Sequence, residues 1–409
     1  MTTKRIPSIW SRRQVVAGLG GLAVYAAARP AAAQAPAGKP IKIGQALALT
    51  GPFAQTGLVH KIVSEYYVDR LNKTGGLLGR PVEYVLLDDQ SKPDVSRTLY
   101  ERLITSDNVD LILAPYGTAS ILAAMGVAQR YHKIFIQNTM GVPSLATYEW
   151  QFAALVAGAS PEKTLPEKTL DCYASTGHPP KTIAIITSKF PSTEFTAKGM
   201  QTLAKARGIE VLAFLEYDVG NRDFGSIAAR IKAADPDYMF MGCLGVEGNQ
   251  LLEALTQINY TPKRHFYLFP SGLLATYPPA ERAMSLTTLE DVEPYLSNPE
   301  IAEFAKGFDA KAKALNLPYP HIDSQAGNEY AGWQILVAAV KATKSLEDKK
   351  LADWLEHNSV DTVVGKRDFT GKFHTSSSDM QQLRQVQNGR WVTVWPKAEA
   401  TPGVKLLAP

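Results

Sequence analysis

The turn Pro115-Tyr116-Gly117 runs into Thr118, Ala119 and Ser120 at the start of an apolar-periodic stretch. Hydroxyls and backbone N–H groups at a helix entrance can hold an anion, helped by the positive end of the helix dipole. Ser120 fits a plain helix cap equally well, whereas Thr118 is nearer the mouth of the loop and is the stronger candidate for ligand contact. Glu247 opens another helical stretch. A carboxylate there either complements the helix dipole or meets a cation. Asp88-Asp89 closes a strand and could suggest a metal or an acid/base pair, but reads better as a strand-end cap over the next helix. Histidines 60, 132, 178, 265, 321, 357 and 374 are scattered. No H-E-x-x-H, G-x-G-x-x-G after a strand, G-x-x-x-x-G-K-[ST] or G-x-S-x-G occurs. No catalytic residues, metal ligands or cofactor are therefore assigned, and an enzyme is not expected.

These residues need a scaffold, and the apolar pattern supplies one. Short apolar runs at 41–49, 82–87, 109–114 and 134–137 alternate with amphipathic stretches at 61–72, 95–104 and 121–131. The rhythm repeats from residue 165: strands at 182–187, 210–216, 238–241 and 266–269 alternate with helices up to 250–258. Each βαβα succession implies a parallel sheet covered by helices. Later segments at 299–315, 329–343 and 346–356 read as helices. A hairpin at 383–394 turns on Asn388-Gly389. In open sheets of this type ligands sit beyond the carboxyl ends of the strands. The loops there, at 50–57, 115–120, 138–143, 188–195, 217–224, 242–247 and 269–272, are rich in Gly, Ser, Thr and aromatics and poor in Lys and Arg. That composition suits a small molecule. Phe53, Tyr116, Phe190 and Phe195 could offer it ring faces, or could simply be core.

The length of 409 residues allows two ordinary domains, and 45% hydrophobic with 20% charged residues is globular composition. The net charge of +4 is concentrated at the front, where Lys4, Arg5, Arg12, Arg13 and Arg29 have no acid to offset them. Without those five charges the chain carries −1, which gives a nucleic-acid partner no electrostatic support. Residues 1–33 order as charged, then apolar, then small, which predicts a secretory signal cleaved after Ala33. Ser11-Arg12-Arg13 before a Gly-weakened apolar run resembles a twin-arginine signal, with an ordinary secretory signal as the alternative. The apolar run is too short to span a membrane, so a soluble exported protein is expected. Cys172 and Cys243 exclude a disulfide framework and a four-cysteine zinc site. Either a single bridge between them or buried free thiols would fit, and the second is adopted.

The motifs Leu49-Thr50-Gly51-Pro52-Phe53-Ala54-Gln55-Thr56-Gly57, Asn72-Lys73-Thr74-Gly75-Gly76-Leu77-Leu78-Gly79 and Asp88-Asp89 occur in that order. Asp223-Phe224, Gly245-x-x-Gly248-Asn249-Gln250 and Tyr330-Ala331-Gly332 follow them. Together they resemble the periplasmic branched-chain amino-acid binding proteins, type I solute receptors of ABC importers, over about residues 41–396. The resemblance implies an α/β fold of two Rossmann-like lobes joined by a three-strand hinge, with the ligand cleft between them. Lobe 1 would combine 41–160 with 273–365, and lobe 2 161–272 with 366–400. It implies a monomer in the periplasm that captures a small organic ligand, most simply a branched-chain amino acid, and presents it to permease subunits. The alternatives are an aromatic or other organic acid, or a sensor that signals to a membrane receptor. By resemblance the loops around Tyr116, Thr118, Ala119, Ser120 and Thr139 hold the ligand carboxylate, and Glu247 holds its ammonium. Departures from the family pattern fall in the ligand loops: Phe190-Pro191-Ser192 replaces a Tyr-Gly pair, and the first-loop serine is displaced to Thr118. Ser91 and Tyr116 stand where some members carry a disulfide.

Overall fold

A computed structural model describes residues 35–375 and 379–407. The export signal read at residues 1–33 lies outside the described residues. The first run of elements is β1 Ile41–Leu47, α1 Ala54–Lys73, β2 Val82–Asp88, α2 Pro93–Thr105, β3 Leu111–Ile112, α3 Thr118–Arg130, β4 Phe135–Gln137 and β5 Gln151–Ala153. The second is α4 Pro161–Ala174, β6 Thr182–Ser188, α5 Pro191–Ala206, β7 Glu210–Tyr217, α6 Gly225–Ala234, β8 Tyr238–Gly245, α7 Glu247–Gln257, β9 His265–Pro270 and β10 Met284–Thr287. Then come α8 Pro299–Ala314, α9 Ser324–Thr343, α10 Asp348–His357, the small pair β11 Val360–Thr362 and β12 Gly365–Arg367, and the hairpin β13 Gln382–Gln387 with β14 Arg390–Trp395.

Two lobes result, each built on a parallel sheet with helices against it. In the first, β2, β1 and β3 are adjacent and parallel, a bridge from Leu113 to Ile136 leads on to β4, and β5 lies parallel to β4. In the second the order is β14-β13-β10-β9-β8-β6-β7, parallel from β10 to β7 and antiparallel at the hairpin. Every residue of β8 is buried, the continuous apolar run expected of a strand covered on both faces. The sequence reading places residues 273–365 with the first lobe, but within that span β10 hydrogen-bonds between β9 and β13 in the second sheet. The chain passes between lobes after β5, after β10 and between β12 and β13. Cys172 and Cys243 are buried free thiols, and burial pushes the Cys172 thiol up to about 12.

A buried polar cluster anchors the first lobe behind the cleft. Glu329 of α9, fully buried, accepts from Ser64 Oγ at 2.8 Å and Gln45 Nε2 at 3.1 Å through Oε1. Its Oε2 faces His60 Nδ1 at 2.7 Å and also accepts from Asn138 Nδ2. Trp333 Nε1 donates to Ser64 Oγ at 2.9 Å. One carboxylate thus joins α1, β1, the loop after β4, and α9. A buried carboxylate is tolerated because its lone pairs are this fully engaged. Glu329→Ala should leave His60 and Asn138 without their partner and cost about 3–5 kcal/mol, the usual penalty for breaking a buried pair. The readout is the urea midpoint at unchanged slope, and a loss below about 1 kcal/mol would contradict the anchoring role.

Candidate functional site

The strand ends of both lobes face one narrow cleft. Gly117, at φ +84°, turns the chain from β3 into α3, a backbone conformation that L side chains rarely adopt. Its N–H donates to Thr139 Oγ1 at 3.0 Å, and Gly141 N–H donates to Thr118 Oγ1 at 3.1 Å. The two threonines therefore lace the loops after β3 and β4 together. Each hydroxyl, having accepted one bond, keeps its proton to donate to a second partner.

Tyr116, Thr118 and Thr139 line the cleft from the first lobe, joined by Leu155 and by Ser324, Gln325 and Asn328 at the start of α9. Ser192, Leu244, Leu268, Phe269, Pro270 and Leu286 line it from the second, with Gln381 and Arg384 of the C-terminal segment. The wall is mostly apolar or uncharged polar, and Arg384 is its charged group among the described residues. Phe53 and Phe190 do not line this cleft. They form its neighbouring seam, with ring centroids 5.7 Å apart and Phe53 5.8 Å from Tyr116. Leu47, Ala48 and Leu244 complete this apolar contact across the lobes, and Ala119 packs at its edge. Ser120 is buried in the first turn of α3 and does not reach the wall. Phe195 lies apart, in a groove between α4 and α5 beside Glu162, Lys198 and Leu203.

Glu247, expected to hold an ammonium, is buried at the start of α7. Its Oε2 accepts from Tyr217 Oη and Leu244 N–H, both at 2.9 Å. Oε1 has no partner among the described residues. Burial pushes the carboxyl above its usual range, against the pull of Leu244, Tyr217 and the nearby Gly220 backbone. It borders an adjoining hollow with Gly51, Pro52, Gly220, Asn221 and Arg222, not the main cleft.

Arg384 was not singled out in the sequence, nor were Ser324, Gln325 and Asn328. Helix α9 starts at Ser324, five residues before the expected position, because Asp323 Oδ1 caps it by accepting from the N–H of Gln325 and Ala326. Asp-Ser-Gln is a recognisable cap sequence. An arginine between Leu383 and Gln385 in a buried strand was likewise a visible signal. Its Nη1 donates to Glu290 Oε1 at 2.7 Å, and its guanidinium carbon lies 4.2 Å from the Trp391 ring centre. Asp88 and Asp89 bind neighbouring backbone and hydroxyl groups, Asp88 those of Leu49, Thr50 and Gln90, and Asp89 those of Ser91 and Ser96. They serve the turn, as a cap would. Among the described residues no His, Cys, Asp and Glu group could hold a metal, and no helix is long and apolar enough to cross a membrane.

The lobes meet closely enough to test closure directly. A Cβ on Gly141 would lie 2.5 Å from Ser192 Cβ on the opposite lobe. Gly141→Ala should therefore hold the lobes apart while leaving each one folded. Overpacking of this kind costs about 1–3 kcal/mol, so small-angle scattering should give a larger radius of gyration than wild type. An unchanged radius would show that closure tolerates the methyl group.

A family profile described as periplasmic binding protein matches residues 40–390. The leucine-, isoleucine-, valine-, threonine- and alanine-binding protein of Pseudomonas aeruginosa is 20% identical over 81% of this chain and 86% of its own length. A solute-binding protein of an ABC transporter from R. palustris, solved with benzoate, superposes with a TM-score of 0.74 at 21% identity, covering 90% of this chain and 99% of its own. A second, from Rhodopseudomonas palustris BisB5 and solved with 3,4-dihydroxybenzoic acid, gives 0.71 at 18% identity over 86% and 95%.

Proposed function

The chain belongs to the periplasmic binding protein family, and on that premise we propose that it captures a small organic acid outside the cytoplasm and delivers it to the permease of an ABC importer. The family is one of non-catalytic solute-binding proteins, and its two-lobed fold is the one described above. The ligand would sit in the cleft and be enclosed when the lobes close, since each lobe supplies only half of the wall. The observation that carries the acid reading is the charge of that wall. A zwitterionic amino acid brings an ammonium, and an ammonium that loses its water needs a carboxylate beside it. Arg384 is on the wall, whereas Glu247 is off it and is held by Tyr217 and Leu244. An acid without an amine meets the cation and asks for no carboxylate. Benzoate and dihydroxybenzoate in the two similar structures are ligands of this kind, and Tyr116, Leu244 and Phe269 supply apolar surface for a ring.

A second reading keeps the amino acid. Glu247 Oε1 has no partner, and a ligand that extended toward the adjoining hollow could bring its ammonium there. In this reading the residues of the loop at Tyr116–Ser120 with Thr139 take the carboxylate, and Phe53 and Phe190 flank the side chain. Export through the signal at residues 1–33, a soluble periplasmic monomer, and lobes divided at the crossings after β5, after β10 and between β12 and β13 belong to the proposal in either case.

Calorimetry on ligand-stripped, refolded protein separates the readings. Benzoate or 4-hydroxybenzoate should bind, leucine should not, and Glu247→Gln should change the acid's affinity by less than about twofold. If leucine binds and Glu247→Gln weakens it by roughly 30-fold or more, as expected for losing one partner of a buried charge pair, the amino-acid reading replaces the acid.

A further inference from the structure

We propose that Arg384 is the carboxylate anchor of the cleft and that Glu290, on its far side, takes up a proton when the ligand's negative charge arrives. This rests on the organic-acid reading and specifies which atoms would recognise the acid. Arg384 reaches the cleft wall from β13 with its side chain only 3% exposed. Glu290 engages Nη1, Trp391 covers one face of the guanidinium, and Nε has no hydrogen-bond partner among the described residues. A buried charged donor left unpaired is costly. A guanidinium offers parallel N–H pairs that match a carboxylate, so a second carboxylate that reaches the unpartnered, buried Nε edge would complete its bonding.

The charge balance gives the second half of the proposal. Arg384 and Glu290 together are neutral, so an arriving carboxylate leaves one negative charge in excess inside a closed space. Glu290 is 1% exposed, and its Oε1 is shared between Arg384 and the Thr287 hydroxyl at 2.6 Å. Asp323, at the entrance of α9, repels its charge, Tyr319 and Tyr295 are the other titratable groups beside it, and Arg384 is the cation. Burial already pushes its carboxyl up to about 7, against the pull of Arg384. A further negative charge raises it again, so near neutral pH the proton comes from solvent and settles on Glu290. Affinity for the acid should accordingly fall as pH rises past this region.

Arg384→Ala alone would strand the Glu290 charge and could unfold the protein. Arg384→Lys keeps the charge without the unpartnered guanidinium edge, and the double variant Arg384→Met/Glu290→Gln removes both charges together. The probes are benzoate and its neutral analogue benzamide, with calorimetry in phosphate and in Tris to count protons. Wild type should prefer benzoate, with uptake of a substantial fraction of a proton at pH 7.5. Arg384→Lys should weaken benzoate at least tenfold, the double variant should lose the preference for benzoate over benzamide, and Glu290→Gln should bind benzoate without proton uptake. Wild-type affinity for benzoate in the double variant, or no proton uptake by the wild type, would overturn this proposal while leaving the acid reading standing. Failure of wild type to bind benzoate, 4-hydroxybenzoate or 3,4-dihydroxybenzoate would overturn the acid reading and the anchor together.

Discussion

A charge brought into a space that closes over it must be neutralised by groups already in place, because little water remains to do it. At this cleft the group in place is Arg384, held by Glu290 and resting on Trp391. The C-terminal hairpin supplies the arginine and the tryptophan. Thr287, at the end of β10, donates to Glu290, and the antiparallel pairing of β10 with β13 sets Ser285 opposite Arg384. The late strands of the second sheet therefore carry the electrostatics, while the loops after β3 and β4 carry the hydroxyls. Neither half suffices for a ligand with both a charge and a body.

The proposed closure draws on a contrast in stiffness. The first lobe is pinned behind the cleft by Glu329, whose partners come from α1, β1 and the loop after β4. His60 extends this cluster forward: its Nε2 lies 3.3 Å from Gln325 Oε1, and Gln325 is on the cleft wall. At the seam beside the cleft the contact across the lobes is of a different kind: Phe53 and Tyr116 meet Phe190 and Leu244 through apolar faces. The hydrogen bonds between the lobes sit by the crossing strands, where Arg384 meets Glu290 and Ser324 meets Thr287. A hinge-closing receptor needs rigid walls and a separable seam.

Much of the fold was legible in the sequence because parallel strands buried on both faces leave continuous apolar runs. β6 was read to within one residue of its bounds for that reason, β8 was read only over its first half, and the antiparallel hairpin was legible from its Asn388-Gly389 turn. Short elements escaped. β5 and β10 have three and four residues, too few to show a period, and their pairing is decided by partners far along the chain. The candidate site was legible in part. Tyr116, Thr118 and Thr139 reach the wall because loops at strand ends must, whereas Ser120 turns inward. Glu247 was placed at the correct helix start, but Tyr217 engages it, and a contact across 30 positions leaves no local trace. Arg384 escaped because it lies inside a strand rather than in a strand-end loop.

The most direct test of the central claim is a crystal structure of the ligand-stripped protein soaked or grown with 4-hydroxybenzoate. The acid should lie in the cleft, with its carboxylate within about 2.7–3.1 Å of the Arg384 guanidinium and its ring beside Leu244 and Phe269. A ligand whose carboxylate is held by Thr118 and Thr139 alone, with Arg384 still bonded only to Glu290, would contradict it.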